Sequence, residues 1–239
     1  MLIFVHGGIP GVTPYCSGAH IWGRCLSLFE KEFKVHAVNL KGGDVESQVE
    51  ELSKYEKAHL VGHDLGGLVA LSFALKYPGK VQAVTAVSSV AAAPTGDGVE
   101  DMTLAFPPLP KWSRASQAWA LERLSYSRHH IDGALLDACV AAAKTQAQAA
   151  ENFGAGITQA KTRLFEACRA EGIRVPVQVI WGSHDPLGAV DQGLWLFRIL
   201  AQQQKASQFH VLHRTGALPF REEPEAFHQI VAAFYEATG

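Results

Sequence analysis

A stretch of twenty residues, 58–77, constrains the fold of this chain more than any other part of the sequence. It opens with a short apolar run to Val61, continues through Gly62-His63-Asp64-Leu65-Gly66-Gly67, and ends in apolar residues at helical spacing. This order predicts a strand, a sharp turn and a helix. Gly62 and Gly66 flank Asp64 with one residue between on each side. Glycine is needed at both places because a Cβ would collide where the strand and the helix nearly touch.

The spacing of these glycines is typical of a nucleophile elbow, which holds its central residue in a strained conformation at the top of a sheet. Serine is the usual central residue, whereas this chain has Asp64. A carboxylate in this place can attack an sp3 carbon and form an ester, or it can act as a general base. The N-terminus of the following helix favours negative charge there. A helix-capping aspartate at an ordinary turn is the alternative interpretation.

Composition bounds the class of protein. The chain has 239 residues, 48% of them hydrophobic, and a formal net charge of -2, which predicts one substantial core and gives no reason to expect nucleic acid or a membrane surface as a partner. No apolar run reaches membrane-spanning length, and the first residues lack the basic region of a signal peptide. The cysteines have no C-x-x-C spacing, which favours reduced thiols in a cytoplasmic protein. They are Cys16, Cys25, Cys139 and Cys168.

Apolar runs alternate with helical patterns along most of the chain. Strands are predicted at 1–6, 34–40, 59–61, 81–87, 175–181 and 209–212, and helices at 21–30, 45–57, 68–74, 191–202 and 224–237. This alternation predicts an α/β fold in which a mostly parallel sheet is flanked by helices on both faces. Residues 1–89 and 175–239 are expected to form this core.

The pattern changes between residues 90 and 174, where no convincing strand occurs. Helices are predicted at 113–126, 131–153 and 159–171. An insertion at this point of an α/β sheet is interpreted as a helical lid over the site, and a packed subdomain is compatible with that interpretation. Trp112, Trp119 and Tyr126 are candidate pocket residues or packing residues of this insertion. His129 and His130 are expected to be exposed.

Two loops are predicted to lie near the elbow. The first strand runs into the glycine-rich turn His6-Gly7-Gly8-Ile9-Pro10-Gly11, whose N–H groups can form an oxyanion hole. Gly8 and Leu65 would supply the two donors, with His6, Gly7, His63 and Leu218 as further pocket candidates. Asp185 follows the fifth strand in a loop marked by glycine and proline, at the edge where such sheets bind ligands.

These motifs together resemble the α/β-hydrolase superfamily from the third strand of its fold onward, so the sheet is expected to be short by two strands. The resemblance implies the chain order nucleophile, acid, histidine, with Asp64 and Asp185 as the first two. The Gly-His-Asp elbow resembles epoxide hydrolases and haloalkane or haloacetate dehalogenases, which use an Asp nucleophile. The loop 6–11, the stretch 124–135 and the segment 181–193 resemble meta-cleavage-product hydrolases, which cut carbon–carbon bonds with a Ser nucleophile.

One residue departs from the family pattern. Ala217, in Arg214-Thr215-Gly216-Ala217-Leu218-Pro219, stands where the resemblance places the catalytic histidine, and alanine cannot activate water. Three explanations are open for Ala217. Position 217 was changed deliberately to stop turnover, or the protein is a natural non-hydrolytic relative, or another histidine takes over the role. His213 is the nearest substitute in sequence, while His184 and His63 are expected to be structural or pocket-lining. The first explanation is favoured because everything around Ala217 still looks built for a histidine.

Three hypotheses for function follow. In the first, Asp64 attacks an epoxide or carbon–halogen carbon of a small, mostly apolar organic substrate, and the ester persists because Ala217 replaces histidine. In the second, the protein is a carbon–carbon bond or ester hydrolase in which Asp64 is a base or a replaced serine. In the third, it binds a ligand without turnover. No metal cluster or nucleotide loop is found, so no metal and no cofactor are expected.

Overall fold

The computed structural model describes residues 1–9, 13, 15–40, 44–94, 104, 106–146 and 150–239, so Pro10 and Gly11 of the predicted turn lie outside the described residues. The strands are β1 (Leu2–Val5), β2 (Val35–Val38), β3 (Ala58–His63), β4 (Val81–Val87), β5 (Val177–Gly182) and β6 (Gln208–Leu212). The helices are α1 (Arg24–Phe29), α2 (Val45–Leu52), α3 (Leu65–Lys76), α4 (Arg114–Leu124), α5 (Gly133–Gln146), α6 (Ala150–Ala170), α7 (Val190–Leu200), α8 (Pro219–Glu222) and α9 (Pro224–Thr238).

The six strands form one parallel sheet in the order β2-β1-β3-β4-β5-β6. The chain moves outward from β1 to β2, then returns to the other side of β1 and adds the remaining strands in sequence. Ligand sites of parallel sheets lie at such a reversal, beyond the carboxyl ends of the strands. The predicted α/β sheet flanked by helices is confirmed, and the loops after β1 and β3 lie side by side at the reversal.

Strand side chains alternate between two hydrophobic cores, because successive residues of a strand point to opposite faces. Leu2 and Phe4 pack in the core that includes α1, α4 and α9. Ile3 and Val5 pack in the core that includes α2, α3, α6 and α7. With helices on both faces, the central strands have no solvent-facing side, which explains their continuous apolar runs.

The inserted segment is helical in its described part, with boundaries that differ from the prediction. Residues 147–149 of the predicted helix 131–153 lie outside the described residues. The predicted break between residues 153 and 159 is wrong, since α6 runs without interruption from Ala150 to Ala170. Gly156 lies within α6, where a Cβ would stand 3.1 Å from that of Asp44, so the glycine serves close helix packing rather than a break.

The prediction that His130 is exposed is wrong. Its side chain is buried and its Nδ1 accepts a hydrogen bond from Arg221 Nε at 3.2 Å, so Nε2 carries the proton and donates to Ser125 Oγ at 2.9 Å. Burial first, and then the Arg221 charge, lower the pKa of His130 to about 3. The ring therefore ties the inserted segment to α8 as a neutral group. His129 is exposed, as predicted.

A chain of buried polar side chains crosses the middle of the sheet. His59 Nε2 contacts Thr85 Oγ1 at 2.9 Å, Thr85 donates to Gln178 Oε1 at 3.0 Å, and Gln178 Nε2 donates to the Ile230 carbonyl at 3.2 Å. Because the Thr85 proton is used toward Gln178, His59 Nε2 must be the donor to Thr85. The chain links β3, β4, β5 and α9 by bonds that all run in one direction.

The four cysteines are buried and unpaired. Within the described ranges, every helix is too short or too polar to cross a membrane.

Candidate active site

Asp64 occupies the turn between β3 and α3 in a backbone conformation that L-residues rarely adopt, with φ 46° and ψ −112°. The two flanking glycines make this geometry possible. A Cβ on Gly62 would overlap the Gly66 carbonyl, and a Cβ on Gly66 would overlap the carbonyl of Val5. Both ends of the turn are anchored, since Asp64 N–H donates to the Val87 carbonyl at 3.0 Å and Ser89 Oγ donates to the Asp64 carbonyl at 2.6 Å. The strained elbow predicted from the glycine spacing is present.

Asp64 is a buried residue, with 6% of its surface exposed. Burial raises its pKa to about 6, and the shift is limited by N–H groups of Ala91 and Leu65 and by the Lys161 ammonium. Ala91 N–H lies 3.2 Å from Oδ1. The side chain therefore does not cap α3 in the ordinary way, and no hydrogen bond of that kind is found in the described helix. At neutral pH the group is mostly an ionised, strained carboxylate at the end of the sheet.

Asp185 lies past the end of β5 and is more than nine-tenths buried. Its Oδ1 accepts the N–H of Leu187 at 2.9 Å, whereas Oδ2 has no hydrogen-bond partner among the residues that the structure describes. The Ser88 hydroxyl is close enough to lower its pKa but lies outside hydrogen-bonding geometry. Burial is the larger effect and, with the nearby Asp64 charge, raises the pKa of Asp185 to about 7.

Ala217 is buried in the loop between β6 and α8, with both backbone groups in use. Its N–H donates to the Leu124 carbonyl at 2.7 Å, and its carbonyl accepts from His63 Nε2 at 2.8 Å. The loop is also joined to the Asp185 loop, because His184 N–H donates to the Thr215 carbonyl at 2.9 Å. The frame around position 217 is thus fully bonded, and only the side chain lacks a group that could transfer a proton.

His63 is a structural residue. A carbonyl oxygen can only accept, so the contact with Ala217 fixes the proton on Nε2 and leaves Nδ1 to accept from the Tyr15 hydroxyl at 3.3 Å. Burial lowers the pKa of His63 to about 4, so the ring stays neutral. It ties the residue before the elbow to the loop at position 217, rather than lining a substrate pocket.

The loop after β1 is held by similar bonds. Gly7 packs against the elbow, where a Cβ would lie 2.8 Å from that of Asp64. Gly8 N–H, predicted as one oxyanion donor, donates to Ser17 Oγ at 3.0 Å in this structure, and its role as an oxyanion donor stays a prediction. His6 Nε2 accepts the Leu40 N–H at 2.9 Å and its Nδ1 faces the same Ser17 hydroxyl, which makes His6 a buried brace. Of the two predicted donors, Leu65 N–H stands at the start of α3 beside the Asp64 carboxylate.

The remaining pocket candidates divide by burial. Leu218 is fully buried beside Ala217. Trp112 and Trp119 are half-buried, and the Arg123 guanidinium covers the Trp119 ring at 4.2 Å. Tyr126 is 49% exposed and packs against the exposed His184 ring with the two planes tilted by 52°, which places it on the surface rather than in a buried pocket. A hydrophobic core contact explains Trp119 as well as a pocket would.

No substitute for the missing histidine stands out at this site. His213 and His184 are both exposed, with their ring centroids 6.0 Å apart and the Ser183 hydroxyl between them. His213 therefore lies at the surface beside His184.

Three residues of the site were not predicted. Tyr15 is buried, and both Asp64 and Asp185 raise the pKa of its hydroxyl beyond the effect of burial, so it stands near both carboxyls. Lys161 on α6 is half-buried, and its charge acts on Asp64. Glu222 is buried and accepts the N–H groups of Gly216 at 2.7 Å and Ser127 at 2.8 Å. The helical spacing of Lys161 with the packed residues Ile157 and Leu164 is a signal that could have found it.

Among the described residues, no group of three His, Cys, Asp or Glu side chains is placed to hold a metal ion. The site offers a strained carboxylate, a second buried carboxyl with one free oxygen, and a phenol near both.

The chain matches the family profile for the alpha/beta hydrolase fold over residues 43–224. An uncharacterized protein of Mycobacterium tuberculosis is 26% identical over 77% of this chain and 57% of its own length, so the chain spans little more than half of that relative. The 2-hydroxy-6-oxononadienedioate/2-hydroxy-6-oxononatrienedioate hydrolase of Escherichia coli K12 is 24% identical over 98% of this chain and 86% of that enzyme.

Solved structures show the same architecture. The meta-cleavage product hydrolase CumD of Pseudomonas fluorescens IP01 superposes with a TM-score of 0.74, covering 100% of this chain and 91% of that one at 22% identity. The epoxide hydrolase CorEH superposes with a TM-score of 0.71, covering 99% and 91% at 18% identity. At such identities the likeness shows a shared fold, and it includes both classes of enzyme that the sequence motifs resemble.

Proposed function

The chain belongs to the α/β-hydrolase fold family, and from that premise we propose that Asp64 is a nucleophile toward an electrophilic sp3 carbon of a small organic substrate. The observation that carries the proposal is the conformation of Asp64, which is held at φ 46° and ψ −112° at the end of β3 with its side chain buried. Backbone strain of this kind is kept where the surrounding structure enforces it, and it is concentrated at reactive residues. The inserted helices would act as the lid over this residue.

In the proposed step, one carboxylate oxygen of Asp64 forms a bond to the substrate carbon while the bond from that carbon to the leaving group breaks. With a haloacid or haloalkane, the electron pair leaves with the halide ion. With an epoxide, the electron pair stays on the ring oxygen, which takes up a proton from water. Both routes give an ester of Asp64. The pKa of about 6 keeps Asp64 in its nucleophilic form above neutral pH.

The ester should persist in this chain. Its hydrolysis needs a base that removes a proton from water as the water attacks the ester carbonyl, and a histidine oriented by a carboxylate is the usual base. Asp185 has an oxygen without a hydrogen-bond partner among the described residues and could orient a histidine, but residue 217 is alanine. The protein would therefore bind and react once, and turn over only when a base is supplied.

The experiment that tests the proposal is incubation with a small aryl epoxide and with a haloacetate, followed by intact-mass measurement and peptide mapping. We expect one adduct per chain on Asp64, absent from Asp64→Asn. Ala217→His should then release product in repeated turnover. Absence of any adduct on Asp64 at pH 8 with either reagent, in protein that is folded, would remove the proposal.

A second candidate is favoured by the relatives, which include a dienoate-type hydrolase at nearly full coverage. In that case the site would be a carbon–carbon or ester hydrolase whose usual serine is replaced by Asp64. The double variant Asp64→Ser with Ala217→His should then hydrolyse dienoate or aryl ester substrates, and the single variant Ala217→His should not. Ligand binding by calorimetry without reaction in any variant would instead indicate a binding protein.

A further inference from the structure

The free oxygen of Asp185 is the starting point. A buried carboxylate is stable only when its oxygens are hydrogen-bonded or its charge is compensated. Oδ1 is held by Leu187 N–H, which fixes the orientation of the group, while Oδ2 has no partner in the part of the chain that the structure describes. Leu187 thus fixes the orientation of this carboxyl. The nearby Ser88 hydroxyl lies outside hydrogen-bonding geometry, so Oδ2 is left for a donor from outside.

The charges around Asp185 favour a cation at that position. Asp64 is the second carboxyl of the site, and its charge acts on Asp185 in the same direction as burial. Lys161 acts on Asp64, and Tyr15 is a neutral phenol near both carboxyls. When both carboxyls are ionised, these four groups carry a net charge of -1.

The neighbouring loop cannot supply the donor. Both backbone groups of Ala217 are bonded, the N–H to Leu124 and the carbonyl to His63. Gly216 N–H donates to the Glu222 carboxylate, and the methyl group of Ala217 has no polar hydrogen that could form a hydrogen bond. His63 uses its single N–H on the Ala217 carbonyl, so it cannot turn to Asp185 without releasing that loop.

We propose that the natural ligand of this site carries a protonated nitrogen, as an amine, imidazole or amidine, that donates a hydrogen bond to Asp185 Oδ2. The inference rests on the proposed function only in placing the ligand at Asp64, and it adds the chemical class of the ligand. A nitrogen bound there would stand where the family pattern has a histidine side chain. A ligand of this class would orient its own electrophilic carbon toward Asp64 by its charged end.

The pH dependence of binding follows from the groups that face the site. An amine or amidine that stays protonated favours the ionised form of Asp185, so its affinity should rise as the pH increases through about 7 and level off above it. An imidazole loses its own proton in the same range, so its affinity should pass through a maximum near neutral pH. Asp64 ionises over a lower range and contributes in the same direction. A neutral ligand of equal shape should show neither increase.

The test compares two epoxides of nearly equal shape at pH 8: dimethylaminomethyl oxirane, which is cationic when protonated, and isobutyl oxirane, its neutral carbon analogue. The rate of Asp64 adduct formation is measured by intact mass for the unmodified chain, for Asp185→Asn and for the exposed control Asp191→Asn. We expect the cationic epoxide to react at least tenfold faster with the unmodified chain and with Asp191→Asn, and the preference to vanish in Asp185→Asn.

Equal rates for the two epoxides, or a preference that survives in Asp185→Asn, would overturn the inference while leaving the nucleophile intact. If neither epoxide labels Asp64, calorimetry with imidazole decides between the two proposals. Imidazole that binds the unmodified chain at least tenfold more tightly than folded Asp185→Asn, and that does not bind Ala217→His, would keep the inference and remove the nucleophile. Equal binding to all three would remove both. Circular dichroism and a second variant, Asp185→Ser, guard against a loss caused by misfolding.

Discussion

The elbow at Asp64 and the loop at 213–219 are joined by the hydrogen bond from His63 to Ala217, and they differ in the chemistry of their central side chains. The elbow at Asp64 combines a strained backbone geometry with a buried carboxyl group. The loop at 213–219 retains its backbone bonds to Leu124, His63 and Glu222, but its central side chain is a methyl group. The comparison teaches that the frame of this loop and the chemistry of its central side chain are separate properties of the sequence, because the frame depends on backbone bonds made by the N–H and carbonyl of Ala217 and not by its methyl group.

The two loops also close onto the sheet by the same device. A Cβ on Gly66 would overlap the Val5 carbonyl, and a Cβ on Gly182 would overlap the Gly216 carbonyl. In each case a strand end approaches a neighbouring loop more closely than any side chain permits. If the two close approaches are equivalent, replacing either glycine by alanine should lower the free energy of unfolding by a similar amount.

We expect Gly66→Ala and Gly182→Ala to have the largest effects, each costing about 4 kcal/mol or more of unfolding free energy, because the clashes are with backbone atoms and the sheet must shift to relieve them. Urea unfolding followed by circular dichroism measures this. Gly79→Ala is the matched control, since a Cβ there meets no atom within 4 Å. A change below 1 kcal/mol in either of the first two variants would show that the approach is not as close as described.

Asp185→Asn should have the next largest effect, and it should be stabilising at high pH. The pKa of Asp185 is about 7 in the folded chain and 3.8 in the unfolded reference, so between these values the folded state holds a proton that the unfolded state has lost. The stability of the unmodified chain therefore falls as the pH rises from about 4 to about 7, by up to about 4 kcal/mol, and stays level above that range.

Asp185→Asn has no carboxyl to ionise and keeps the acceptor for Leu187 N–H. Its unfolding free energy should therefore exceed that of the unmodified chain by an amount that grows from pH 4 to pH 7. Unfolding free energies at pH 5 and pH 8 measure the difference, from which the buried histidines cancel because both proteins contain them. An advantage that is the same at the two pH values would show that Asp185 ionises normally.

Glu222→Ala should weaken the loop at 213–219 without touching the elbow. It leaves the buried N–H groups of Gly216 and Ser127 without an acceptor, which is expected to cost about 2–3 kcal/mol. Glu223→Ala is the matched control, because Glu223 is exposed and makes no capping hydrogen bond. Urea unfolding gives the loss of unfolding free energy. The change in activation free energy calculated from the rate of Asp64 labelling should be smaller than that loss. Equal midpoints for the two variants would contradict the role given to Glu222.

His213→Ala should have the smallest effect, below about 0.5 kcal/mol on stability, because its ring is exposed and contacts His184 and Ser183 at the surface. The rate of Asp64 labelling should be unchanged within twofold. An Asp64 ester that persists longer in His213→Ala than in the unmodified chain would contradict this and identify His213 as the base that activates water.

The fold and half of the site follow from local sequence, for identifiable reasons. The elbow at Asp64 was predictable because its glycines answer a steric demand within five residues. Asp185 was predictable because strand ends carry loop residues to the ligand edge of a parallel sheet. Tyr15 and Glu222 were not, because their burial depends on which distant segment covers them, and two adjacent glutamates such as Glu222 and Glu223 are alike until the loop at 216 is in place. His63 was found as a residue, but its tautomer and role depend on a carbonyl 154 positions away.

The row of hydrogen bonds from His59 through Thr85 and Gln178 to α9 has a consequence for how the molecule assembles. Each member sits on a different strand, and every proton in the row is committed to the next acceptor. Sliding one of these strands by a single residue would turn the polar atoms of that strand away from their neighbours and bury them alone. The row of hydrogen bonds thus favours a single register of the central strands, because a shifted strand would bury polar groups without partners.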